Sequence, residues 1–475
     1  MLSVLSIYKG DGILAVRTAK GEYSYKAFAE KAEALSSSLS QLGVRKILID
    51  LPQCYNAYCL MWAAYLADIT FCCINSESPQ KYKQYCIDTF APNIIVDNAG
   101  KDEGEQQIEA IVNGESSALL NLDKQESDSR FSSEKNAYVL FTSGSTGNPK
   151  GVAVKRKALE NFVLWCKDNY SLSPADVYGQ YSNISFDLGV GDVFFGISSG
   201  ATMIPVTGIY KLVPGEAIKK YNITFWHSVP SVVDLLLQKG DISKEKMASL
   251  KEITFCGEAL YPSQVEALFS ALPNIKIWNT YGPTEATIFC SAISFTCDNY
   301  KRFSRNTMAI GVPLSGFSFE TAETESGKEL IIVGKHVAAG YVGKTEQNNF
   351  VFEQQSGDSC AFCSGDIVEL VDGNFYFVGR KDSQIKLNGY RVDLNEIDAV
   401  VRRETEYFSC SVFYNSKITT FVEKQAESDL SVIQQAIAEN LPKYYMPSKF
   451  MSVSKFPKNQ NGKYDKKQLI ELLKE

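Results

Sequence analysis

Histidine, long apolar runs and excess positive charge are all scarce in this chain, and each shortage excludes a class of protein. Two histidines among 475 residues argue against a histidine-rich zinc site. No run of about 18 uncharged apolar residues occurs, so no membrane-spanning helix is expected. The formal net charge of −7 argues against a protein that binds nucleic acid by neutralising its phosphates.

Signals for secretion or for a metal centre are equally hard to find. The N-terminal residues lack the basic start and the small-residue cleavage site of a signal peptide. We therefore expect a cytoplasmic protein whose twelve cysteines are reduced and pack as small apolar groups. Cys360 and Cys363 have the spacing of a redox or metal pair, but no second pair accompanies them at a zinc-site distance, so a structural role is expected.

Length and periodicity together predict an α/β protein of more than one domain. A chain of 475 residues is too long for one hydrophobic core. Helical patterns at Tyr25–Leu42 and Ala57–Ala67 alternate with strand patterns such as Lys46–Asp50 and Thr70–Ile74, an order typical of doubly wound sheets. The polar and acidic residues 99–135 are predicted to be a surface excursion.

The most informative stretch begins as a strand pattern and ends as a polar loop. The apolar Tyr138–Phe141 runs directly into a loop of Gly, Ser and Thr that is closed by Pro149 and Lys150. Turned backbone N–H groups, hydroxyls and a lysine suit the binding of phosphate. The spacing differs from that of common nucleotide hydrolases. It therefore predicts either a triphosphate cradle of another kind or a flexible loop beside a strand.

Two further stretches carry candidate ligand-binding groups. Asp187 lies in an apolar segment, where its carboxylate needs a partner. A ligand ammonium group would supply one, and a cap on the following helix is the alternative. A second strand pattern ends near Tyr281 at a Gly282–Pro283 turn, and such strand ends bind ligands in open α/β sheets. An exposed Tyr281 is predicted to stack on a base and Glu285 to hold Mg²⁺.

The pattern changes from about Arg302, where short strands joined by Gly-rich turns predict a β-rich subdomain. The charged segment Gly379–Asp382 ends this series and predicts a domain boundary. Residues 380–475 contain sixteen basic and thirteen acidic residues, so this part is slightly basic. Its lysine-rich stretch Lys458–Lys466 is predicted to be a solvated loop.

Taken together, the motifs make the chain resemble the adenylate-forming superfamily of acyl-CoA synthetases, firefly-type luciferases and nonribosomal peptide adenylation domains. They cover nearly the whole chain in order: Phe141–Gly151, Asn279–Glu285, Ser364–Asp366, Gly379–Arg380, Gln384–Arg391 and Asn461–Lys463. Within the superfamily the chain looks like an amino-acid-activating member. It is most similar to the D-alanine–D-alanyl carrier protein ligases, through Phe186–Leu188, Phe255–Glu258 and Leu441–Pro447.

The resemblance implies an α/β fold of several domains. The N-terminal domain, 1–379, would contain two doubly wound α/β subdomains and a β-rich subdomain. A hinge at 380–382 would join it to a small mobile α+β C-terminal domain, 383–475.

The resemblance also implies an ATP site with Mg²⁺. The loop residues that would contact the triphosphate are Thr142, Ser143, Gly144, Ser145, Thr146, Gly147 and Lys150. The nucleoside would contact Gly257, Glu258, Ala259, Asn279, Tyr281, Gly282, Asp366 and Arg380. Thr284 would contact the α-phosphate, Glu285 would hold Mg²⁺, and Lys463 would bridge the substrate carboxylate and the α-phosphate.

The selectivity positions of the family map to Asp187, Leu188, Gly191, His227, Thr254, Cys256, Thr280, Ile288 and Phe289. Asp187 would pair with an α-ammonium group, which favours an amino acid. The hydrogen-bonding groups and the bulk of Phe289 favour a small one: alanine of either hand, serine or glycine. Gly191 and Phe289 depart from the D-alanine ligase pattern. His227 is either a pocket residue or a packed core histidine.

The implied reaction has two steps and needs no acid–base residue. The substrate carboxylate attacks the α-phosphorus of ATP and pyrophosphate leaves. The thiol of a phosphopantetheine-bearing carrier protein then attacks the acyl-adenylate. Between the steps the C-terminal domain would turn about Asp382. Lys463 would leave the site, and the loop with Lys386 and Gly389 would enter, with Gly389 lining the path of the thiol.

No carrier-like segment follows Lys463, so we expect a stand-alone enzyme that acts on a separate carrier protein, with no nucleic-acid or membrane partner. An acyl- or aryl-CoA ligase is the alternative enzyme. A non-catalytic binding protein on the same fold is the alternative from another class.

Overall fold

A computed structural model describes residues 12–115, 135–143, 149–342, 352–355, 359–405, 407–423, 430–458 and 464–474. The chain divides into two compact units. The first contains the described residues of Met1–Ser76, Thr89–Leu140 and Gly151–Lys381. The second contains those of Glu77–Asp88, Phe141–Lys150 and Asp382–Glu475.

Strands are distributed along the whole of the described chain. Those of the first half are β1 (Leu14–Arg17), β2 (Glu22–Ser24), β3 (Lys46–Asp50), β4 (Thr70–Cys73), β5 (Ile94–Asp97), β6 (Asn136–Thr142), β7 (Lys150–Lys155), β8 (Val177–Gln180), β9 (Thr202–Pro205) and β10 (Phe225–Ser228). Next come β11 (Glu252–Phe255), β12 (Lys276–Tyr281), β13 (Ser291–Phe295), β14 (Ala309–Pro313), β15 (Phe317–Thr324), β16 (Gly327–Gly334), β17 (Gly340–Tyr341) and β18 (Phe352–Gln354). The last are β19 (Cys360–Val371), β20 (Asn374–Arg380), β21 (Gln384–Leu387), β22 (Tyr390–Asp393), β23 (Ser409–Tyr414), β24 (Lys417–Glu423) and β25 (Lys449–Val453).

The α-helices alternate with the strands in the first half of the chain. They are α1 (Tyr25–Gln41), α2 (Tyr55–Leu66), α3 (Gln80–Phe90), α4 (Glu105–Val112), α5 (Arg156–Asn169), α6 (Asp187–Ser198) and α7 (Pro214–Tyr221). They continue with α8 (Ser231–Gln238), α9 (Lys244–Met247), α10 (Pro262–Ala271), α11 (Leu394–Thr405), α12 (Leu430–Asn440) and α13 (Lys466–Glu471). Among the residues described, no helix combines the length and apolar character that crossing a membrane would require.

The large sheet is parallel in its middle and antiparallel towards one end. Its order is β2-β1-β9-β8-β10-β11-β12-β13-β14-β20-β19-β16-β15, with β18 added on β19. Strands β9, β8, β10, β11 and β12 run parallel, as expected where helices connect successive strands. The strands after β12 pair antiparallel. The strands predicted as a separate β-rich subdomain therefore continue the large sheet through β14.

The second sheet has the order β17-β7-β6-β4-β3-β5, and β5, β3, β4 and β6 are parallel. Strands β3, β4 and β6 match the apolar patterns predicted at Lys46–Asp50, Thr70–Ile74 and Tyr138–Phe141. Ser24 caps α1 by accepting from the backbone N–H of Ala27, which fixes the start of that helix.

Helix α4 lies inside residues 99–135, which were predicted from their polar and acidic composition to be only a surface excursion. Ile108 and Ile111 are three positions apart on one face and are both buried. Glu105 forms an ion pair with Lys31 of α1 at 2.8 Å. Two apolar residues in a charged stretch are a weak periodic signal, so the helix was missed.

The second unit contains a hairpin and a small three-stranded sheet. β21 and β22 pair antiparallel around Asn388 and Gly389, whose φ values are 50° and 82°. Two successive left-handed residues are the geometry of an Asn-Gly hairpin turn. The three-stranded sheet has the order β23-β24-β25, and α11 packs on β23.

Candidate active site

The carboxyl ends of β8, β10, β11 and β12 lie side by side in the parallel part of the large sheet. Parallel neighbours end at the same edge, and this edge is the usual place for a ligand in an open α/β sheet. The strand ends carry several of the predicted residues. His227 stands opposite Thr254 in the register of β10 and β11, and Asn279 stands opposite Phe255 in that of β11 and β12.

Tyr281, Asp366 and Arg380 form one buried cluster. The Tyr281 hydroxyl donates to Asp366 Oδ2 at 2.6 Å, and the Arg380 guanidinium forms an ion pair with Asp366 Oδ1. Burial, together with the charge of Asp366, raises the pKa of Tyr281 well above its usual value, so the hydroxyl remains a donor. The expectation that Tyr281 is exposed was wrong: the residue is 4% exposed, because its ring packs in an apolar cluster with Ala286 and Ile310 and its hydroxyl bonds to Asp366.

Asn279 and the residues after β11 flank the same edge of the sheet. Asn279 is buried and donates through its amide to the carbonyl of Ala309 at 2.8 Å. Gly257 has φ +89°, a conformation that glycine adopts without strain. Glu258 accepts from the backbone N–H of Ser231 at 3.0 Å, and Ala259 follows, half-buried. Because Glu258 is tied to α8, the backbone between Gly257 and Ala259 has a fixed direction.

Glu285 is buried, at 1% exposure, and accepts from the hydroxyl of Tyr341 at 2.7 Å. It lies in a short 3₁₀ turn that begins at the half-buried Thr284. Sequence reasoning missed Tyr341, whose contact joins residues far apart in the chain. The described residues contain no group of three or more His, Cys, Asp or Glu side chains placed to hold a metal. A single carboxylate suits Mg²⁺, which usually keeps waters and takes oxygens from substrate phosphates.

Gly282 lets the strand end and the following loop pass closely. A Cβ atom at this position would lie 2.4 Å from Cα of Phe289. Thr287 and Ile288, on the returning loop, have φ values of 58° and 72°. A left-handed conformation is strained for β-branched residues, so the loop that carries Ile288 and Phe289 is tightly constrained.

The described ends of the Ser/Gly-rich loop contain polar atoms without partners. Oγ1 of Thr142 and Oγ of Ser143 are buried and have no hydrogen-bond partner within the described chain. Buried hydroxyls are usually hydrogen-bonded, so these two suit the oxygens of a bound anion. Lys150 begins β7. The predicted contacts Gly144, Ser145, Thr146 and Gly147 lie outside the described residues.

Asp187 is the first residue of α6 and not its cap, because Phe186 occupies the N-cap position. Its Oδ1 accepts from the backbone N–H of Leu188 at 2.8 Å, and the residue is half-buried. The hydroxyl of Tyr138 is buried nearby without a partner in the described chain. Its pKa is raised well above the usual value by burial and by the charge of Asp187. A carboxylate in the first helical turn is also stabilised by the helix dipole.

Four predicted pocket residues pack in one apolar cluster: Leu188, Cys256, Ile288 and Phe289. Gly191 borders them, since a Cβ at this position would lie 2.9 Å from Ile288 Cδ1 and 2.9 Å from Cζ of Phe162. The Phe289 ring meets that of Phe162 edge to face at 4.9 Å. The structure therefore compensates the missing side chain at Gly191 with the bulk of Ile288, Phe162 and Phe289.

The polar residues among the selectivity positions are mostly hydrogen-bonded within the protein. Thr254 Oγ1 is bonded to the hydroxyl of Tyr170 at 3.2 Å, and Thr280 Oγ1 donates to the carbonyl of Phe255 at 3.0 Å. His227 is 3% exposed, and its Nδ1 lies 2.6 Å from Oδ1 of Asp192. His227 is thus buried and also oriented by a carboxylate.

The residues predicted to act in the second step lie in the second unit. Asp382 begins the C-terminal segment of that unit, Asp382–Glu475, and accepts from the backbone N–H of Gln384 at 3.1 Å. Lys386 pairs with Arg391 across the hairpin of β21 and β22, and Gly389 is in its turn. Lys463 lies outside the described residues. Rotation about Asp382 stays a prediction.

Comparison with known proteins places these features in a family. The family described as "AMP-binding enzyme" matches residues 9–342. The D-alanine–D-alanyl carrier protein ligase of Bacillus licheniformis is 33% identical over 364 residues, 71% of each chain. The ligase of the same name from Staphylococcus epidermidis is 30% identical over 487 residues, covering 97% of this chain and 96% of its own.

Solved structures share the fold. The Vibrio cholerae adenylation domain AlmE, solved in complex with glycyl-adenosine-5'-phosphate, has a TM-score of 0.84 and 24% identity, and covers 100% of this chain and 97% of its own. The amide bond synthetase McbA from Marinactinospora thermotolerans has a TM-score of 0.81 and 19% identity, with 98% of both chains covered. The predicted α/β, multi-domain class is confirmed.

Proposed function

The chain belongs to the AMP-binding enzyme family, and from that membership we propose that it joins a small amino acid to AMP and then transfers the acyl group to a carrier-protein thiol. Two relatives that cover 97% of this chain are D-alanine–D-alanyl carrier protein ligases. The candidate substrates remain alanine of either hand, serine and glycine. The acceptor would be the phosphopantetheine thiol of a separate carrier protein.

The cluster of Tyr281, Asp366 and Arg380 carries the proposal. A carboxylate that accepts from a hydroxyl and from a guanidinium has a fixed direction, so it is pre-oriented to accept from the hydroxyls of a ribose. The unpartnered hydroxyls of Thr142 and Ser143 would donate to phosphate oxygens. These are two separate observations, and each favours a nucleotide ligand.

The proposed chemistry brings two anions together. An oxygen of the amino-acid carboxylate forms a bond to the α-phosphorus of ATP, and the bond to pyrophosphate breaks. Bound Mg²⁺ would neutralise developing charge on the phosphates, and Glu285 would hold it. Asp187 would orient the amino acid through its ammonium group, and Lys463 would neutralise the carboxylate and the α-phosphate. In the second step the carrier thiol forms the thioester and AMP leaves.

The test is pyrophosphate release across the twenty amino acids in both hands, with simple carboxylic acids as controls. We expect a small amino acid to be preferred and Lys463→Ala to lose at least about a hundredfold in rate while ATP still binds. Lys455→Ala, which removes an exposed lysine of the same unit, should match the wild type. Adenylation at the wild-type rate in the Lys463 variant would remove that lysine from the mechanism.

The acceptor is tested separately with the preferred amino acid. Intact-protein mass spectrometry should show one aminoacyl group on a phosphopantetheine-loaded carrier protein and none on its apo form. Preference for acids that lack the amino group, together with transfer to coenzyme A, would instead identify an acyl- or aryl-CoA ligase.

A further inference from the structure

Tyr178, Asp192 and His227 form a buried hydrogen-bonded network on one face of the large sheet. Oδ1 of Asp192, on α6, accepts from the Tyr178 hydroxyl at 2.7 Å and lies 2.6 Å from Nδ1 of His227. Asp192 is 1% exposed and His227 is 3% exposed. A buried carboxylate that receives two hydrogen bonds is a well-fixed acceptor.

The position of His227 on its strand places the ring on the side of the predicted pocket. Successive side chains of a strand point to opposite faces. Phe225, two residues earlier, belongs to the apolar cluster that also contains Leu188 and Phe289, whereas Trp226 belongs to a different cluster. His227 therefore lies on the same face as the predicted amino-acid pocket.

One ring nitrogen of His227 has an unmet hydrogen bond. Nε2 is buried without a partner in the described part of the chain. The hydroxyls of Thr254 and Thr280 are already bonded within the protein. Of the uncharged polar side chains at the selectivity positions, His227 is therefore the one whose buried Nε2 a substrate side chain would satisfy. A buried polar atom left without a partner destabilises the state that contains it.

Asp192 decides whether Nε2 donates or accepts. A carboxylate oxygen only accepts, so the proton of the neutral ring must be on Nδ1, which faces Asp192. Nε2 then carries a lone pair. The Tyr178 hydroxyl, 3.4 Å from the same Nδ1, is directed to Asp192 and does not compete.

We propose that Asp192 is a positioning residue that fixes His227 with Nε2 as an acceptor, so that the pocket selects a small amino acid whose side chain donates a hydrogen bond, such as the hydroxyl of serine. This inference rests on the proposed adenylation activity and narrows its substrate class. It favours serine over alanine and glycine, because only serine in that group satisfies Nε2.

The first test determines which ring nitrogen of His227 carries the proton. The chain has two histidines, so protein labelled with ¹⁵N-histidine gives two ring spin systems by NMR. His336→Gln or His227→Gln assigns them, and either variant is sufficient. We expect the His227 ring to carry its single proton on Nδ1. A proton on Nε2, or protons on both nitrogens, would overturn the proposal whatever the enzyme's activity.

The second test compares serine and alanine in pyrophosphate release. In the wild type we expect kcat/KM for serine to exceed that for alanine by at least about tenfold. Asp192→Val leaves the Tyr178 hydroxyl as the group nearest Nδ1. That hydroxyl would donate to Nδ1 and move the ring proton to Nε2. The serine-to-alanine ratio should then fall by about tenfold.

Tyr178→Phe is the matched control, because it removes a donor to Asp192 but keeps the carboxylate. Its serine-to-alanine ratio should stay within about threefold of the wild type. A merely structural role for Asp192 would lower kcat/KM for both amino acids equally and would overturn the proposal. Release with amino acids but no preference for serine would also overturn it. No release with any amino acid would overturn the proposed function itself.

Discussion

Substitution of Gly282 by alanine tests the geometry of the candidate site most directly. The added Cβ would lie 2.4 Å from Phe289 Cα, 3.0 Å from the backbone nitrogen of Cys290 and 3.0 Å from the carbonyl oxygen of Ile288. All three are backbone atoms, so a change of rotamer does not relieve the contact. The van der Waals contact distance between carbon atoms is about 3.5 Å. The segments that contain Gly282 and Phe289 must therefore separate by about 1 Å.

This separation would act on both halves of the site. One segment carries Tyr281 and Glu285, and the other carries Ile288 and Phe289. Overpacking typically costs about 1–3 kcal/mol, and we expect the upper part of this range because the clash is with backbone. A displacement of about 1 Å at a reacting site lowers the rate by about a hundredfold, so kcat/KM in pyrophosphate release should fall by that factor.

Urea unfolding and pyrophosphate release measure the two effects. Gly379→Ala is the control, since no heavy atom lies within 4 Å of the position of its added Cβ. If Gly282→Ala matched Gly379→Ala in both stability and rate, the close approach would be wrong and the described loop geometry would have to be abandoned.

Two further predictions concern groups that the structure pairs or buries. Tyr281→Phe should lower the free energy of unfolding by about 1.5–3 kcal/mol, because it removes a hydrogen bond to a charged group. In an Asp366→Ala background it should have little effect, and equal losses in both backgrounds in urea unfolding would refute the pairing. Burial, with Lys335 and Lys155 nearby, lowers the pKa of His336 to about 4 from an ordinary 6.5. The unfolded chain binds this proton more readily, so stability should fall by up to about 3 kcal/mol between pH 6.5 and pH 4. His336→Gln should remove that part of the pH dependence, and an unchanged slope of unfolding free energy against pH would contradict the burial of a neutral ring.

The sequence predicted well those elements that are determined by the pattern of their own few residues. Strand Lys46–Asp50 forms with the predicted bounds, because its apolar pattern is contained within a few residues. The order of the motifs also predicted the family, since each motif is a short segment. The continuity of the large sheet through β14 was not predictable, because strand pairing depends on contacts between distant segments.

The site was predicted residue by residue, but its internal pairings were not. Tyr281 was expected to be exposed. Instead its ring is buried in an apolar cluster, and its hydroxyl bonds to Asp366, which follows much later in the chain. Asp192 could have been found by the argument applied to Asp187, since both are carboxylates in one apolar segment. Asp192 is the more deeply buried of the two. Its partner His227 is on another strand, so the sequence alone did not show what satisfies the charge.

A buried polar atom without a partner indicates a ligand site only where an independent observation points to the same residue. In the described chain the indole N–H groups of Trp62 and Trp226 are also buried without partners, and nothing in the sequence connects them with a ligand. Ser143 and His227 differ because the family motifs imply a phosphate contact for Ser143 and include His227 among the selectivity positions, where a pocket residue was one of two interpretations. A structural packing defect has no reason to coincide with a motif, whereas a binding site must leave unsatisfied the atoms that its ligand will satisfy.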